Sequence, residues 1–76
     1  MDWLPLESEM LASVAYDVDK HILYLRFRNT GDVYRYFGFP AAEYQAFLDA
    51  ESHGRFFLAH IRTRFRYERM AKLQTV

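Results

Sequence analysis

Cysteine is absent from the chain of 76 residues, and glycine and proline are scarce, with three and two copies. Without cysteine the chain has no disulfide framework, no thiolate nucleophile and no thiolate metal site, so the simplest expectation is a cytoplasmic protein. The low content of glycine and proline also excludes collagen-like and low-complexity sequence.

Basic residues are missing from the N-terminal quarter, and long apolar runs are missing throughout. Residues 1–19 carry five acidic residues and no basic one, which is the reverse of a signal or transit peptide. The apolar runs are only a few residues long, whereas a membrane-spanning helix needs about 20. We therefore expect neither export nor a membrane partner.

Aromatic residues are abundant, with seven Phe, six Tyr and one Trp. Disordered chains are poor in such residues, so the composition favours one small globular domain over residues 1–76, with its core at about 8–70 and frayed termini. A chain of this length buries only about 60% of its unfolded surface, so most rings are needed for the core and few residues remain for an enclosed active site. We expect a binding domain rather than an enzyme.

The first half of the chain predicts an antiparallel meander of three strands. Residues 12–18 and 22–28 alternate in side-chain character, as half-buried strands do. Residues 33–37 form the third strand, after a turn at residues 29–32 that contains a glycine for a positive φ.

The second half predicts two helices. The first spans residues 41–50 and begins at Pro40, a residue favoured in a first helical turn. The second begins at the N-cap Ser52 and runs to about Arg64. Both carry apolar residues at helical spacing, namely Tyr44, Phe47, Leu48, Phe57 and Ile61. The predicted fold class is therefore α+β, with the order β-β-β-α-α and both helices on one sheet face.

Alternation assigns the strand residues to two faces. The face beneath the helices is expected to bury Val14, Tyr16, Leu23, Leu25, Phe27, Tyr34 and Tyr36. Arg35 is placed on the opposite, open face because a buried guanidinium needs a partner charge. The predicted inaccessible core contains Leu25, Phe27, Phe47, Phe57 and Ile61.

No constellation of residues predicts catalysis or a bound metal. His53 and His60 are seven residues apart, too far for chelation from one helix, and His21 lies in a turn. Ser52 is explained by capping, and no Gly-x-Ser-x-Gly surrounds any serine. Acidic residues such as Glu43 are typical of a solvated helix face. No catalytic residue, metal or cofactor is assigned.

The order of these motifs resembles the KTSC domain. The resemblance covers about residues 8–70, and its most specific parts are the Tyr-x-Tyr at Tyr34 and Tyr36 and a Ser-x-Gly-x-aromatic-aromatic stretch. It is carried by Leu11–Asp17, Leu23–Phe27, Val33–Phe37 with Pro40, Ser52–Phe57, and Ile61 with Arg62. The family takes its name from a position at the C-terminus of some lysyl-tRNA synthetases and also includes stand-alone bacterial proteins. The resemblance implies no catalytic residue, and the synthetase partner implies RNA binding.

The combination of arginine and aromatic residues is typical of a nucleic-acid-binding surface. Eight of the ten basic residues are arginine, and residues 55–72 carry six basic residues against one acidic. Guanidinium groups neutralise phosphate, and both guanidinium planes and rings stack on bases. We predict a nucleic-acid site, for RNA more than DNA, formed by the open face and the second helix: Tyr24, Arg26, Arg28, Arg35, Phe37, Arg55, Arg62, Arg64 and Arg66.

An open aromatic face is also typical of a protein interface. The same face, or an edge strand, would then contact another protein or a second copy of the chain. Salt dependence separates the two hypotheses. Nucleic-acid affinity falls steeply as salt rises, whereas an apolar interface holds or strengthens.

Overall fold

The sheet has five antiparallel strands in chain order, in a computed structural model that describes residues 2–70. Its strands are β1 (Leu4–Pro5), β2 (Leu11–Asp17), β3 (Ile22–Phe27), β4 (Val33–Phe37) and β5 (Tyr67–Arg69). The three predicted strands are confirmed as β2, β3 and β4, with ends that differ by at most one residue.

Local hydrogen bonds close the two predicted hairpins. In the β2–β3 turn, Oδ1 of Asp17 accepts hydrogen bonds from the backbone N–H groups of Asp19 and Lys20, each at 3.1 Å. In the β3–β4 turn, Gly31 has a φ of +74°, a conformation that residues with a Cβ rarely adopt. Its N–H donates to the carbonyl of Phe27 at 2.8 Å. Asp17 and Gly31 therefore both suit the geometry of their turns.

The predicted number of strands is wrong: the sheet has five strands instead of three, because a short strand lies at each edge. β1 places Leu4 opposite Val14 of β2, and β5 places Glu68 opposite Arg35 of β4. Strands of two and three residues are too short to show alternation, so no local pattern reveals them. Pro5 is compatible with an edge strand, where its missing N–H breaks no interior ladder bond.

Two helices follow β4. The first, α1 (Ala41–Asp49), begins directly after Pro40 and confirms the predicted helix. The second, α2 (His53–Phe56), is capped as predicted by Ser52, whose Oγ accepts a backbone hydrogen bond at 3.2 Å.

The second helix does not end as an α-helix. It continues as a π-helical turn over Phe57–Ile61, in which the N–H of Arg62 donates to the carbonyl of Phe57 at 2.9 Å. The predicted end at Arg64 is therefore too late, because the helix stops at Ile61. Residues beyond it turn back toward the sheet and reach β5.

Both helices pack on the same sheet face. Tyr44 of α1 stacks on Tyr16 of β2, with ring centroids 4.5 Å apart. Phe57 contacts Phe27 of β3 at 5.3 Å and Tyr36 of β4 at 5.8 Å. Strand register places Tyr36 opposite Leu23 of β3, so the tyrosines of β4 point inward as predicted.

The buried core lies between this face and the helices. It consists of Leu6, Leu11, Val14, Leu23, Leu25, Tyr36, Phe39, Phe47, Phe57 and Ile61. The core prediction is confirmed except for Phe27, which is half-buried, because it ends β3 beside a groove that the helices leave open. Leu6 and Phe39 were not predicted. They lie outside helices and strands, where no periodicity identifies a buried position.

Candidate nucleic-acid interface

The open face of the sheet is built by the alternate residues of β3 and β4. Register places Tyr24 opposite Arg35 and Ile22 opposite Phe37. Directly opposite residues in an antiparallel pair share a face, so these four side chains lie together, away from the helices. We use the term open face for this surface with its flanking residues: Trp3, Tyr24, Arg26, Arg35, Phe37, Arg66 and Glu68.

Trp3 covers Tyr24 on this face. Its ring meets the Tyr24 ring in a T-shaped contact with centroids 6.4 Å apart, and Tyr24 is only 9% exposed. The sequence interpretation made Tyr24 the accessible stacking ring, whereas the accessible ring is Trp3, with 36% exposure. Trp3 was missed because the segment before β2 shows no strand pattern. The one available signal was that it is the only tryptophan of the chain.

Arg26 lies beside this aromatic pair. Its guanidinium carbon is 5.4 Å from the centroid of the Trp3 ring, within the range of a cation–π contact. Its Nη1 also donates to the carbonyl of Gly31 at 3.0 Å. The side chain is thus oriented along the surface and remains exposed.

Two arginines approach the ring of Phe37 at the other side of the open face. The guanidinium carbons of Arg66 and Arg35 are 4.9 and 5.5 Å from the centroid of its ring. Arg66 comes from the segment between the second helix and β5, so the tertiary fold brings it to β4. The outward placement predicted for Arg35 and Phe37 agrees with the strand register, whereas Arg66, which was predicted to belong to the second helix, reaches this surface from the segment before β5.

Arg35 differs from Arg66 because it forms an ion pair. Its Nε donates to Oε1 of Glu68 at 2.7 Å, and its Nη2 donates to the same oxygen. The hydrogen bonding of Arg35 to the Glu68 carboxylate is the main reason that the pKa of Arg35 is raised, with burial acting in the opposite direction. Glu68 therefore compensates much of the Arg35 charge, and Arg26 and Arg66 carry the cationic character of the open face.

Arg28 does not extend the open face. Its Nε donates to the carbonyl of Ser8, and its Nη2 donates to those of Leu6 and Leu11, at 2.9, 2.9 and 3.4 Å. The guanidinium therefore holds the chain between β1 and β2. Its placement beside Tyr24 and Arg26 was wrong because the residue lies beyond the end of β3, where alternation no longer decides direction.

The arginines of the second helix lie away from the open face. Arg62 lines a groove on the helix side of the sheet, and Arg55 lines a small depression beside Ser8 and Met10. Arg64 is exposed in the turn that follows the helix. The two predicted basic patches therefore do not form one surface, and only Arg66 joins the open face.

The helix side of the sheet contains the tyrosines with perturbed acidity. Burial raises the pKa of Tyr36, and the neighbouring Tyr34 and Tyr67 raise it further. Burial also raises the pKa of Tyr16 and Tyr44, with Asp17 contributing at Tyr16. These phenols stay protonated at neutral pH, and the Tyr16 hydroxyl donates a hydrogen bond to the carbonyl of Phe39.

Residues 2–70 contain neither a cluster of metal-ligating side chains nor a membrane-spanning helix. No group of three or more His, Asp or Glu side chains in this part of the chain is arranged to hold a metal ion. Across the same residues, none of the helices has the length and apolar character needed to cross a membrane.

Comparison with known proteins identifies the family. The family model of the KTSC domain matches residues 7–65. The chain belongs to the KTSC domain family. This confirms the resemblance carried by the strand and helix motifs.

Two relatives and one solved structure match this KTSC domain over most of its length. A protein of Tsukamurella paurometabola is 39% identical over 62 residues, which cover 82% of this chain and 91% of that protein. An uncharacterized protein of Stutzerimonas stutzeri is 40% identical over 57 residues, covering 75% of this chain and 79% of that protein. The crystal structure of a KTSC domain protein from Yersinia pestis matches with a TM-score of 0.87 and 34% identity, over 92% of this chain and 97% of that one.

Proposed function

We propose that this KTSC domain binds single-stranded nucleic acid, RNA more strongly than DNA, through its open face. The observation that carries the proposal is the presence of two guanidinium–ring stacks on one sheet face, Arg26 on Trp3 and Arg66 on Phe37. Single strands are bound by aromatic platforms that stack on bases combined with cations that neutralise phosphates.

The charges of the open face support this function. Within residues 2–70, no carboxylate forms an ion pair with Arg26 or Arg66, whereas Arg35 pairs with Glu68. Arg26 and Arg66 are also exposed. Each guanidinium therefore lies close to a ring and still has N–H groups to offer to phosphate.

Trp3 provides an internal reporter for the test. It is the only tryptophan, so stacking of a base on it changes the entire tryptophan fluorescence of the protein. The probes are an RNA and a DNA of the same sequence, about 12 nucleotides long, together with the duplex RNA, since one sheet face spans few bases. We expect quenching with the single strands, strongest with RNA, and little with the duplex.

Variants on and off the open face identify the surface. Arg26→Ala and Arg66→Ala should each weaken binding by about the same factor for nucleic acids of unrelated sequence. Each variant should also lower the salt slope, which is the slope of log affinity against log salt concentration, by about one in magnitude. Phe37→Ala should weaken the binding free energy by on the order of 1–3 kcal/mol per stacked base and leave the salt slope unchanged. Arg55→Ala is the matched control, because it removes the same charge from the helix side.

If the open face is a protein interface instead, these experiments should give the opposite results. In that case the protein sediments as a dimer or larger species, the association holds as salt rises, and neither RNA nor DNA quenches Trp3 at about 50 mM salt. That combination would overturn the proposal and assign the face to protein contact.

A further inference from the structure

A groove lies on the helix side of the sheet, opposite the open face. It has a volume of about 770 Å³, within the range of pockets that bind small organic molecules. Its wall combines one end of the helix layer with β3, β4, β5 and the β3–β4 turn. The groove exists because the second helix ends at Ile61 and leaves this end of the sheet uncovered.

Five aromatic side chains form a closed circuit along the groove. Each ring contacts the next, in the order Phe27, Tyr34, Tyr67, Tyr36 and Phe57 and back to Phe27. The centroid distances between neighbours run from 5.3 to 5.9 Å, with edge-to-face or tilted geometry. Such contacts stabilise aromatic pairs beyond the burial of apolar area. A ligand that contains an aromatic ring can extend this packing along the wall.

Tyr36 places a hydroxyl without a partner in this wall. The residue is only 3% exposed and lines the groove, and within residues 2–70 no group accepts a hydrogen bond from its hydroxyl. Tyr16, on the same sheet face, differs because its hydroxyl donates to the carbonyl of Phe39. Buried hydroxyls are normally hydrogen-bonded, since leaving one unpaired costs free energy. A bound molecule with an acceptor atom would supply the partner that the fold does not.

The Tyr36 hydroxyl is a donor at neutral pH. Burial, together with the neighbouring Tyr34 and Tyr67, raises its pKa, so the phenol keeps its proton. A ligand that enters the groove displaces water from this hydroxyl, and a ligand without an acceptor loses the hydrogen bond that the water made. The hydroxyl therefore favours a ligand that carries an acceptor over one that is wholly apolar.

The charges around the groove balance one another. Asp32 is already compensated, because its Oδ2 lies 3.8 Å from Nη1 of Arg69. Glu9 and Arg62 have opposite signs and are both exposed, where water and salt screen them. An ion that entered the groove would lose hydration without gaining a counter-charge. A neutral ligand avoids this cost.

We propose that this groove binds a small neutral aromatic molecule that carries a carbonyl group or a similar acceptor. Its ring packs against the aromatic circuit, and its acceptor receives a hydrogen bond from the Tyr36 hydroxyl. The proposal does not depend on nucleic-acid binding, which uses the opposite face.

Three bicyclic probes of similar shape test the ligand class. 1-Indanone carries a carbonyl group, indane carries no polar group, and 1-aminoindane carries an ammonium group. Binding is measured by NMR titration of the full chain, from the backbone amide shifts of Met10 and Thr63, which line the groove. We expect 1-indanone to bind, and 1-aminoindane to bind about ten-fold less tightly because its ammonium group finds no counter-charge.

Removal of single hydroxyls identifies the donor. Tyr36→Phe deletes the hydroxyl and keeps the ring, so it should weaken 1-indanone about five-fold, the effect of one hydrogen bond, without weakening indane. Tyr44→Phe is the matched control. It removes a hydroxyl from another partly buried tyrosine that does not line the groove, so neither affinity should change.

A variant of the edge strand tests the rings. Tyr67→Leu keeps an apolar side chain at an exposed position of β5. Because it removes one ring from the circuit, it should weaken 1-indanone and indane alike by several-fold. This variant keeps the test valid if Tyr36→Phe fails to fold.

Three results would each overturn the proposal. The first is the absence of shifts at Met10 and Thr63 with 1-indanone at about 1 mM. The second is binding of 1-aminoindane as tight as that of 1-indanone, which would show that the groove does not favour a neutral ligand. The third is an unchanged affinity for 1-indanone in Tyr36→Phe or in Tyr67→Leu, which would place the ligand elsewhere.

Discussion

The Arg28 guanidinium donates a hydrogen bond from Nη2 to the carbonyl oxygen of Leu6 at 2.9 Å. This contact joins the end of β3 to the segment that follows β1, across 22 residues of sequence. It helps to hold the N-terminal strand against β2, and therefore to hold Trp3 over Tyr24. Arg28, which the sequence predicted to contact phosphate, thus supports the open face, and other residues of that face are proposed to bind nucleic acid.

Replacement of Arg28 tests this role. Arg28→Ala should lower the free energy of unfolding by about 1–2 kcal/mol, because three carbonyls lose a charged donor. Arg28→Lys should recover only part of it, since an ammonium group lacks the planar fork of guanidinium. Hydrogen exchange at the Leu6 amide, which donates to Ala12, should accelerate in Arg28→Ala. Unchanged exchange and stability would show that the three bonds do not hold β1.

Phe57 tests the packing of the second helix. Its side chain is nearly inaccessible and contacts Phe27 and Tyr36, so Phe57→Ala should cost about 3–5 kcal/mol. That is enough to unfold a small domain of marginal stability. Urea denaturation followed by circular dichroism measures the change. A folded Phe57→Ala protein with a similar urea midpoint would contradict the assignment of Phe57 to the core.

Tyr36 makes stability depend on alkaline pH. Burial raises its pKa in the folded protein above the value of about 10 for an unfolded tyrosine. The resulting stabilisation is complete below that pH and is lost as the pH rises toward the folded pKa, with a limiting slope of about 1.4 kcal/mol per pH unit for this residue. Urea titrations between about pH 8 and pH 11 should show the decline, and Tyr36→Phe should reduce its slope. Equal slopes in the two proteins would refute the prediction.

Two glycine substitutions should act in opposite directions. A Cβ on Gly54 in α2 would lie 3.6 Å from the Cβ of Met10, an ordinary contact, so Gly54→Ala should stabilise the protein by about 0.5–1 kcal/mol through helix propensity. Gly31 has a positive φ in the β3–β4 turn, so Gly31→Ala should destabilise by about 1 kcal/mol or more. Thermal denaturation of both variants measures the signs, and a destabilised Gly54→Ala would indicate that α2 cannot accept the methyl group.

Much of the fold follows from the sequence alone because its signals are local. The alternation within residues 22–27 determines which side chains of β3 face the helices. On β4 the cost of burying a guanidinium places Arg35, and with it Phe37, outward. The cap at Ser52 and the apolar spacing in residues 41–49 determine where the helices begin. The family resemblance rested on the strand segments and on the segment that begins at Ser52.

Only the tertiary structure decided the two edge strands and the composition of the open face. Arg35 and Glu68 are 33 residues apart, and Trp3 reaches Tyr24 through the short strand β1. Contacts of this range are set by chain reversals and packing, and they leave no period in the sequence that a local pattern can detect. For the same physical reason the charges of Arg28, Arg35 and Arg66 look equivalent in the sequence. In the folded chain the first holds backbone carbonyls, the second pairs with a carboxylate, and the third lies on an aromatic ring.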